Sequence, residues 1–196
     1  MKRTIQIALV TIVLASFIVL SSFQKDDENT YDIELRIESD RDQIDPHLNP
    51  NHYTKITGEL INNGNNSIKL VLPGDGSDDG WRTPYIKWSV VEDKDKQIKI
   101  HEFKFQGAMR CGNVNSLKSD DIIELLPNQS VTLDEWIGYP QIPHKSGTYA
   151  IKLYYENDPK AKWQGLGFHK SFLLRKAKRT DKVKVMSNEI SVEVLQ

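Results

Sequence analysis

The feature that most constrains the fold of this chain is a two-residue alternation of apolar and polar side chains, which recurs from residue 31 onward. In the segment YDIELRIES, Ile33, Leu35 and Ile37 lie on one side of the pattern and charged side chains lie on the other. The segment TYAIKLYYE repeats the pattern, with Tyr149 and Tyr155 on the apolar side. Such alternation is typical of a β-strand with one face against a core and the other in water. The sequence therefore predicts an all-β domain.

The alternation appears in about nine short segments, separated by turn-forming clusters such as NNGNNS. Turns at intervals of about 8 to 12 residues are typical of β-sandwiches and barrels. The expected strands include QIKIHEF at 97–103 and GFHKSFLLRK at 167–176. After the N-terminal segment, no stretch shows the 3.6-residue period of a helix, so we expect no helix there.

Residues 1–24 have the pattern of an export signal. A positively charged start precedes an apolar run that begins at Ile5, and no acidic residue occurs before Asp26. The run also approaches the ~20 residues that a membrane-spanning helix needs. We therefore expect either a cleaved signal peptide or a helical N-terminal membrane anchor, and these alternatives stay open. Residues 25–196 then form one exported domain, periplasmic or extracellular, which meets the membrane only through the N-terminal segment.

The charge balance and the cysteine content exclude two classes of protein. The whole chain has a formal net charge of −1, and removal of Lys2 and Arg3 with the leader takes this to −3. A mildly acidic domain is not expected to bind nucleic acid through bulk charge. Cys111 is the only cysteine, so a fold built on intramolecular disulfides is excluded.

Four short segments carry a resemblance to a known group of proteins. NNGNNSIKLVLPG, LPNQSVTLDEW and SGTYAIKLYY, with SNEISVEV near the C-terminus, resemble exported bacterial immunoglobulin-like domains, which are distantly similar to the intracellular proteinase inhibitor family. The resemblance spans roughly residues 31–195 and implies an immunoglobulin-like antiparallel β-sandwich of about nine strands. It implies that Trp88 lies in the core, and that the Tyr149 hydroxyl bonds to nearby backbone at the start of a late strand. The disulfide of antibody domains is absent, and the motifs transfer a fold rather than a function.

The glycine-rich segment at 73–84, PGDGSDDGWRTP, allows three interpretations. Asp75, Ser77 and Asp79 alternate and Gly80 follows, which matches the opening of a calcium-binding loop. The closing position of such a loop requires a glutamate, but Ile86 stands there. We favour a connecting turn, followed by a recognition loop and then a calcium site. We therefore expect no cofactor, with calcium as the alternative.

Tryptophan in polar loops supplies the candidate binding residues. Trp81 lies beside Arg82 in the first loop, and Trp163 lies in a second glycine-containing loop. Loops at the ends of a sandwich commonly carry binding function, and indole rings are large platforms with a polar edge. The basic segment 169–185 is interpreted as a solvated surface or as a partner of the acidic N-terminal region.

No enzyme signature occurs in the chain: the nucleophile-elbow, zinc-protease and phosphate-loop motifs are all missing. We therefore predict a non-catalytic binding module of the bacterial cell envelope, whose partner is a protein or a glycan. Three alternatives stay open: a proteinase inhibitor acting through residues 73–84, a carbohydrate-binding module using Trp81 and Trp163, and an enzyme that uses the acidic loop with a metal.

Overall fold

The structure is a computed structural model. It describes residues 31–45, 47, 54–78, 80–92, 117–133, 137–161, 163 and 171–196. Several sequence predictions lie outside these residues: the leader at 1–24, the strand at 97–103, Asp79 and Cys111. Residues Tyr31–Gln196 form one compact unit. In the part of the chain that the structure describes, no helix is both long enough and apolar enough to span a bilayer.

The described residues are mainly β-structure, which confirms the predicted all-β class. Ten strands are present among them: β1 (Ile33–Ser39), β2 (Gln43–Ile44), β3 (Ile56–Asn62), β4 (Ile68–Val71), β5 (Tyr85–Glu92), β6 (Ile122–Leu125), β7 (Ser130–Thr132), β8 (Gly147–Asn157), β9 (Val183–Met186) and β10 (Ile190–Val194). One 3₁₀ turn (Ser119–Asp121) precedes β6, and one α-helix, α1 (Ser171–Ala177), precedes β9.

These strands form three sheets. Sheet 1 has the order β1-β3-β7, and sheet 3 is the two-stranded ribbon β4-β6. Sheet 2 has the order β2-β10-β8-β5, and β9 also pairs with β8. All pairings are antiparallel except that of β2 with β10. The long strand β8 is thus the centre of sheet 2, because β5 covers one of its edges and β9 and β10 share the other.

One hydrophobic core receives side chains from all three sheets. Sheet 1 contributes Leu35 and Leu60, sheet 3 contributes Leu70, and sheet 2 contributes Ile151 and Leu153. Each of these side chains is almost completely buried. Burial of one such side chain stabilises the fold by about 1.5–3 kcal/mol. The apolar residues of the alternating pattern are the ones that are buried, so their burial is the main favourable contribution to folding.

Two aromatic side chains of sheet 2 join this core and also form polar bonds. Tyr149 is 2% exposed, and its hydroxyl donates to the carbonyl of Lys145 at 2.8 Å. Trp88 packs against the core, and its Nε1 donates to the carbonyl of Ile137 at 2.6 Å. Both bonds attach the segment between β7 and β8 to the body of the sheet.

The short segment between β9 and β10, residues 187–189, connects sheet 2 to sheet 1. Ser187 keeps the ladder with β8 intact, because its Oγ accepts from the N–H of Leu153 at 2.9 Å while its own N–H donates to the Leu153 carbonyl. The next side chain, Asn188, bonds to Ile37 at the outer edge of β1. The interruption in one sheet therefore supplies the contact that holds the other.

The strand predicted at 167–176 is wrong in its described part, because residues 171–177 form α1. Leu173, Leu174 and Ala177 have the three- and four-residue spacing of a helix face, and Ala177 is buried. Leucine, arginine, lysine and alanine also favour helix. In so short a segment, adjacent apolar residues fit either period, which explains the wrong prediction.

Candidate functional site

The segment 73–84 joins β4 to β5 and folds back on itself. The N–H of Ser77 donates to the Gly74 carbonyl at 2.9 Å, and the N–H of Gly74 donates to the Ser77 Oγ at 3.0 Å. Further along, the N–H of Trp81 donates to the Gly76 carbonyl at 2.9 Å. Gly76 and Gly80 have φ values of 87° and 70°, which favour glycine. The segment is therefore a compact turn whose own backbone supplies many of its bonds.

The candidate calcium ligands differ in how far they are buried. Ser77 is fully buried and its hydroxyl accepts from Gly74, whereas Asp75 is half-buried. Asp79 lies outside the described residues. Among the residues that the structure does describe, no three His, Cys, Asp or Glu side chains come together as a metal site. The calcium interpretation stays a prediction.

Arg82, one of the predicted binding residues, is the largest fully buried side chain of the described chain. Its Nη2 donates to the Leu72 carbonyl at 3.2 Å, and its Nε donates to the Thr83 carbonyl at 3.3 Å. Nη2 also lies 3.7 Å from Oδ2 of Asp121, which precedes β6. A buried guanidinium requires such partners, because an isolated charge in an apolar interior is very costly. Arg82 thus ties both ends of the loop to the β4-β6 ribbon.

Trp163, the second predicted binding residue, stacks on this guanidinium. The Cζ of Arg82 lies 4.8 Å from the centroid of the Trp163 ring, within the range of a cation–π contact. Trp163 is half-buried, and it packs against a small second cluster of apolar residues. The buried members of that cluster are Val71, Leu117 and Ala177, and its other half-buried members are Ile122 and Leu173. Helix α1 and the ribbon therefore meet beside the stacked pair.

Two carboxylates, those of Asp121 and Asp75, act on the charge of Arg82. Burial lowers the pKa of Arg82, whereas Asp121 and, more weakly, Asp75 favour its charged form. Arginine has such a high intrinsic pKa that the side chain stays protonated here. The site therefore has one positive charge facing two negative charges.

Two donors of the stacked pair have no acceptor among the described residues. Within the described part of the chain, Nη1 of Arg82 and Nε1 of Trp163 are buried and form no hydrogen bond. Nη1 lies close to Gly74, where an added Cβ would come within 2.4 Å of it. Most buried polar groups of native proteins are paired, and each unpaired group costs about 1–3 kcal/mol. Two such donors on adjacent side chains mark a place where an acceptor would be stabilising.

The structure brings together Arg82 and Trp163, but it gives Trp81 a different role. Trp81 is half-buried and belongs to the turn through its backbone bond to Gly76. Sequence reasoning missed Asp121, whose only signal is a pair of acidic residues before a strand. It also missed the Leu72 carbonyl as a partner of Arg82, because the residue type does not show where a backbone carbonyl points.

A second polar network attaches the ribbon to the end of β8. The buried side chain of Asn157 accepts from the N–H of Val71 at 3.3 Å and donates to the Thr180 hydroxyl at 3.0 Å. The Tyr155 hydroxyl donates to the Val71 carbonyl at 3.0 Å, and the Asp181 carboxylate accepts from the N–H of Lys69 at 2.8 Å. These bonds hold the ribbon, and with it the loop, in a fixed position.

No known protein family matches the chain, and no curated protein matches it either. The function of the chain is therefore inferred from its own residues.

Proposed function

We propose that this chain is a non-catalytic, exported binding module of the bacterial cell envelope, which contacts its partner at the 73–84 loop and Trp163. The observation that carries the proposal is the pair of Arg82 and Trp163, two of whose buried donors have no acceptor in the part of the chain that the structure describes. A buried donor without a protein acceptor marks a place where a bound ligand or a water molecule can supply one, and the loop that carries this pair is the candidate contact surface.

We also propose that the fold is an immunoglobulin-like β-sandwich. Support comes from the core that sheets 1 and 2 share, in which every pairing but β2 with β10 is antiparallel, and from the bond between the Tyr149 hydroxyl and the Lys145 carbonyl. Loops at the ends of such sandwiches are common binding sites, because the scaffold fixes their position while their sequence can vary.

Export rests on the sequence of residues 1–24 and has a direct test. When the full chain is expressed in bacteria, we expect to find it in the envelope or outside the cell. A Lys2→Glu/Arg3→Glu variant, which removes the positive start, is expected to accumulate inside the cell. Equal cytoplasmic amounts of both proteins would contradict export.

The burial of the 73–84 loop argues against the proteinase-inhibitor alternative. An inhibitor needs an exposed, extended segment that enters the cleft of a protease. In the loop, Pro73, Gly74, Ser77, Arg82 and Thr83 are all buried, and Asp78 is exposed. A panel of serine and cysteine proteases, assayed with micromolar full-length protein, tests this alternative directly.

Binding is tested with the full chain, purified in detergent, against separated envelope fractions: sacculi, surface polysaccharide and membrane protein. We expect one fraction to retain the protein in sedimentation assays. Trp81→Ala should weaken retention, because it removes the aromatic side chain of the loop. Tyr139→Ala is the matched control, since Tyr139 is an aromatic residue 58% exposed in another segment. Retention by no fraction, or equal loss in both variants, would refute the proposed function.

A further inference from the structure

We infer that the exposed side of helix α1 is a membrane-docking surface, which binds the anionic phospholipid headgroups of a bilayer. The residues of this surface, which we call the basic face, are all exposed: Phe172, Arg175, Lys176, Lys178 and Arg179. The sequence predicted membrane contact only through residues 1–24. The basic face belongs to the domain itself and includes no residue of the 73–84 loop, so this inference does not depend on the proposed function.

Helical geometry places the basic face opposite the buried side of α1. Its aromatic residue and three of its cations are spaced i, i+3, i+4 and i+7, which is the spacing of one helix face. Helical bonds continue beyond the last residue of α1, because the N–H of Lys178 donates to the Leu174 carbonyl at 3.0 Å. The N–H of Arg179 then donates to the Lys176 carbonyl at 2.9 Å. On the other side, the buried Ala177 packs into the second apolar cluster, so the helix has one side on the protein and one in solvent.

The cations of the basic face have no carboxylate partner in the part of the chain that the structure describes. Asp181 is the only acidic residue of the segment 169–185. Its carboxylate accepts from the N–H of Lys69 at 2.8 Å and from the Tyr31 hydroxyl at 2.7 Å. Like charges three or four residues apart on a helix repel each other, and a negatively charged surface would offset that repulsion. The basic face therefore offers four positive charges to an anionic partner.

Phe172 distinguishes the basic face from a surface that is only charged. This residue is 58% exposed, and the Nζ of Lys176 lies 5.0 Å from its ring centroid, within the range of a cation–π contact. Cations in the last turn of a helix stabilise the helix dipole, but the dipole does not account for an exposed aromatic ring among them. Helices that lie in a membrane interface combine the same two groups. Their cations contact the headgroups, and their aromatic rings enter the boundary of the acyl chains.

The shape of the basic face favours a bilayer over a single-stranded nucleic acid, the other anionic partner that takes up aromatic rings. Proteins hold a single strand in a positively charged groove, with several aromatic side chains on which successive bases stack. The basic face is instead the convex side of a short helix and carries one aromatic ring. A planar interface can surround such a ring with headgroups, and it needs no groove. All five side chains are already exposed, so docking requires no movement of the domain.

The experiment maps lysine acetylation by mass spectrometry in the full chain, reconstituted in vesicles and treated with a membrane-impermeant reagent. The vesicles contain phosphatidylcholine alone or an equal mixture with phosphatidylglycerol. We expect acetylation of Lys176 and Lys178 to be at least about threefold slower on the anionic vesicles, since each cation near an anionic surface strengthens binding by about fivefold. Lys145, whose side chain is 73% exposed, is the internal control and should react equally on both. Equal acetylation of Lys176 on both vesicles would overturn the inference.

Two variants separate the charges of the basic face from its ring. Arg175→Glu/Arg179→Glu reverses two charges and should abolish the protection of Lys176 by anionic vesicles. Arg41→Glu/Lys55→Glu is the matched control, because it changes the net charge equally at two exposed positions of another segment, and it should keep the protection. Equal loss in both double variants would show that net charge alone causes the protection, and would overturn the inference.

Phe172→Ala should weaken the protection by at least about twofold, because no ring enters the acyl boundary. Unchanged protection in this variant would show that the face recognises charge alone, which contradicts docking on a bilayer. A single-stranded oligonucleotide and the free headgroup glycerophosphoglycerol, each added in place of vesicles, test the other anions. Neither should protect Lys176 to the extent that anionic vesicles do. Equal protection by either anion would overturn the assignment to a bilayer.

The basic face and the proposed binding loop can be tested independently. Trp81→Ala should leave the vesicle protection of Lys176 intact, since vesicles contain neither protein nor glycan. Loss of retention by envelope fractions, with full protection of Lys176, would refute the proposed function and leave the docking surface. The reverse result would refute the docking surface alone. The substituted side chains of the basic face are exposed, so urea unfolding should give each variant the stability of the wild type.

Discussion

The side-chain amide of Asn188 bonds to Ile37 as the peptide group of a neighbouring strand would. Its Oδ1 accepts from the N–H of Ile37 at 2.7 Å, and its Nδ2 donates to the carbonyl of the same residue at 3.0 Å. Ile37 lies in β1, which pairs with β3 on its other side. An unpaired strand edge is a template for association with other chains, so this contact both joins the two sheets and protects an edge.

Replacement of Asn188 by alanine should lower the free energy of unfolding by about 1–2 kcal/mol. The change removes two hydrogen bonds, each worth about 0.5–1.5 kcal/mol, and Asn188 is exposed enough for water to offset part of the loss. Urea unfolding measures the effect. Glu189→Ala is the control, because its ion pair with Lys152 at 3.2 Å is exposed and should contribute less than about 0.5 kcal/mol. Equal effects of the two variants would show that the Asn188 contact does not hold the sheets.

Ser187→Ala should destabilise the fold by about 1–3 kcal/mol. The buried N–H of Leu153 loses its acceptor, and alanine cannot replace it. Hydrogen exchange provides a local measurement, since the Leu153 amide should lose protection beyond the global change. Ser191→Ala, an exposed position in β10, should alter neither quantity. Full protection of the Leu153 amide in Ser187→Ala would contradict the prediction.

Gly74→Ala tests how tightly the loop packs on Arg82. The new Cβ would lie 2.4 Å from Nη1 and 2.9 Å from Cζ, so either the guanidinium or the loop must move. Overpacking of this kind costs about 1–3 kcal/mol, and the tryptophan emission should shift because Trp163 stacks on the same group.

The control for this variant is Gly138→Asn. Gly138 has a φ of 64°, a region that asparagine tolerates, and no described atom outside its own neighbours lies within 4 Å of an added Cβ. A stability loss in Gly74→Ala no larger than that in Gly138→Asn would mean that the loop repacks freely around Arg82.

Stability should fall as the pH rises above about 10, the pKa of tyrosine in an unfolded chain. Burial raises the pKa of Tyr155, and it also raises the pKa of Tyr85, Tyr149 and Tyr154. The folded state therefore keeps protons that the unfolded state has lost, so the free energy of unfolding decreases with pH in this range. Below about pH 10 both states are protonated, and these groups cause no pH dependence.

Tyr155→Phe should make this alkaline decrease shallower, as measured by urea unfolding at pH 8 and at pH 11. At pH 8 the variant should lose about 0.5–1.5 kcal/mol, because the bond from its hydroxyl to the Val71 carbonyl is gone. Tyr139→Phe, at an exposed tyrosine, should leave the slope unchanged. An identical slope in Tyr155→Phe and the wild type would show that Tyr155 does not cause the alkaline loss.

The sequence predicted strands well where one face is buried and the segment is long. In β1 and β8 the period of two runs over at least seven residues, and no helix could bury the same set of side chains. It failed for β2 and α1. The two residues of β2 show no period and are held by the pairing with β10, whereas the seven residues of α1 fit two periods equally well.

The candidate site was predictable in its residues but not in its arrangement. Arg82 was a candidate because it is a charged residue beside Trp81 in a polar loop, and Trp163 was a candidate because it is a second tryptophan in such a loop. Their contact depends on tertiary structure, and so does the complete burial of Arg82. Hydropathy predicts an exposed arginine at such a position, because a lone charge is seldom buried without partners. The partners here are two backbone carbonyls and a carboxylate distant along the chain.

The parallel pairing of β2 with β10 determines when sheet 2 can close. Gln43 and Glu193, joined by a hydrogen bond of 2.9 Å across this pair, are 150 residues apart. Contacts of such long range make folding slow, since the intervening chain must be ordered first. A nascent chain that has not yet emerged from the ribosome as far as residue 194 lacks β10, the strand that lies between β2 and β8, so sheet 2 cannot close before synthesis has passed that residue.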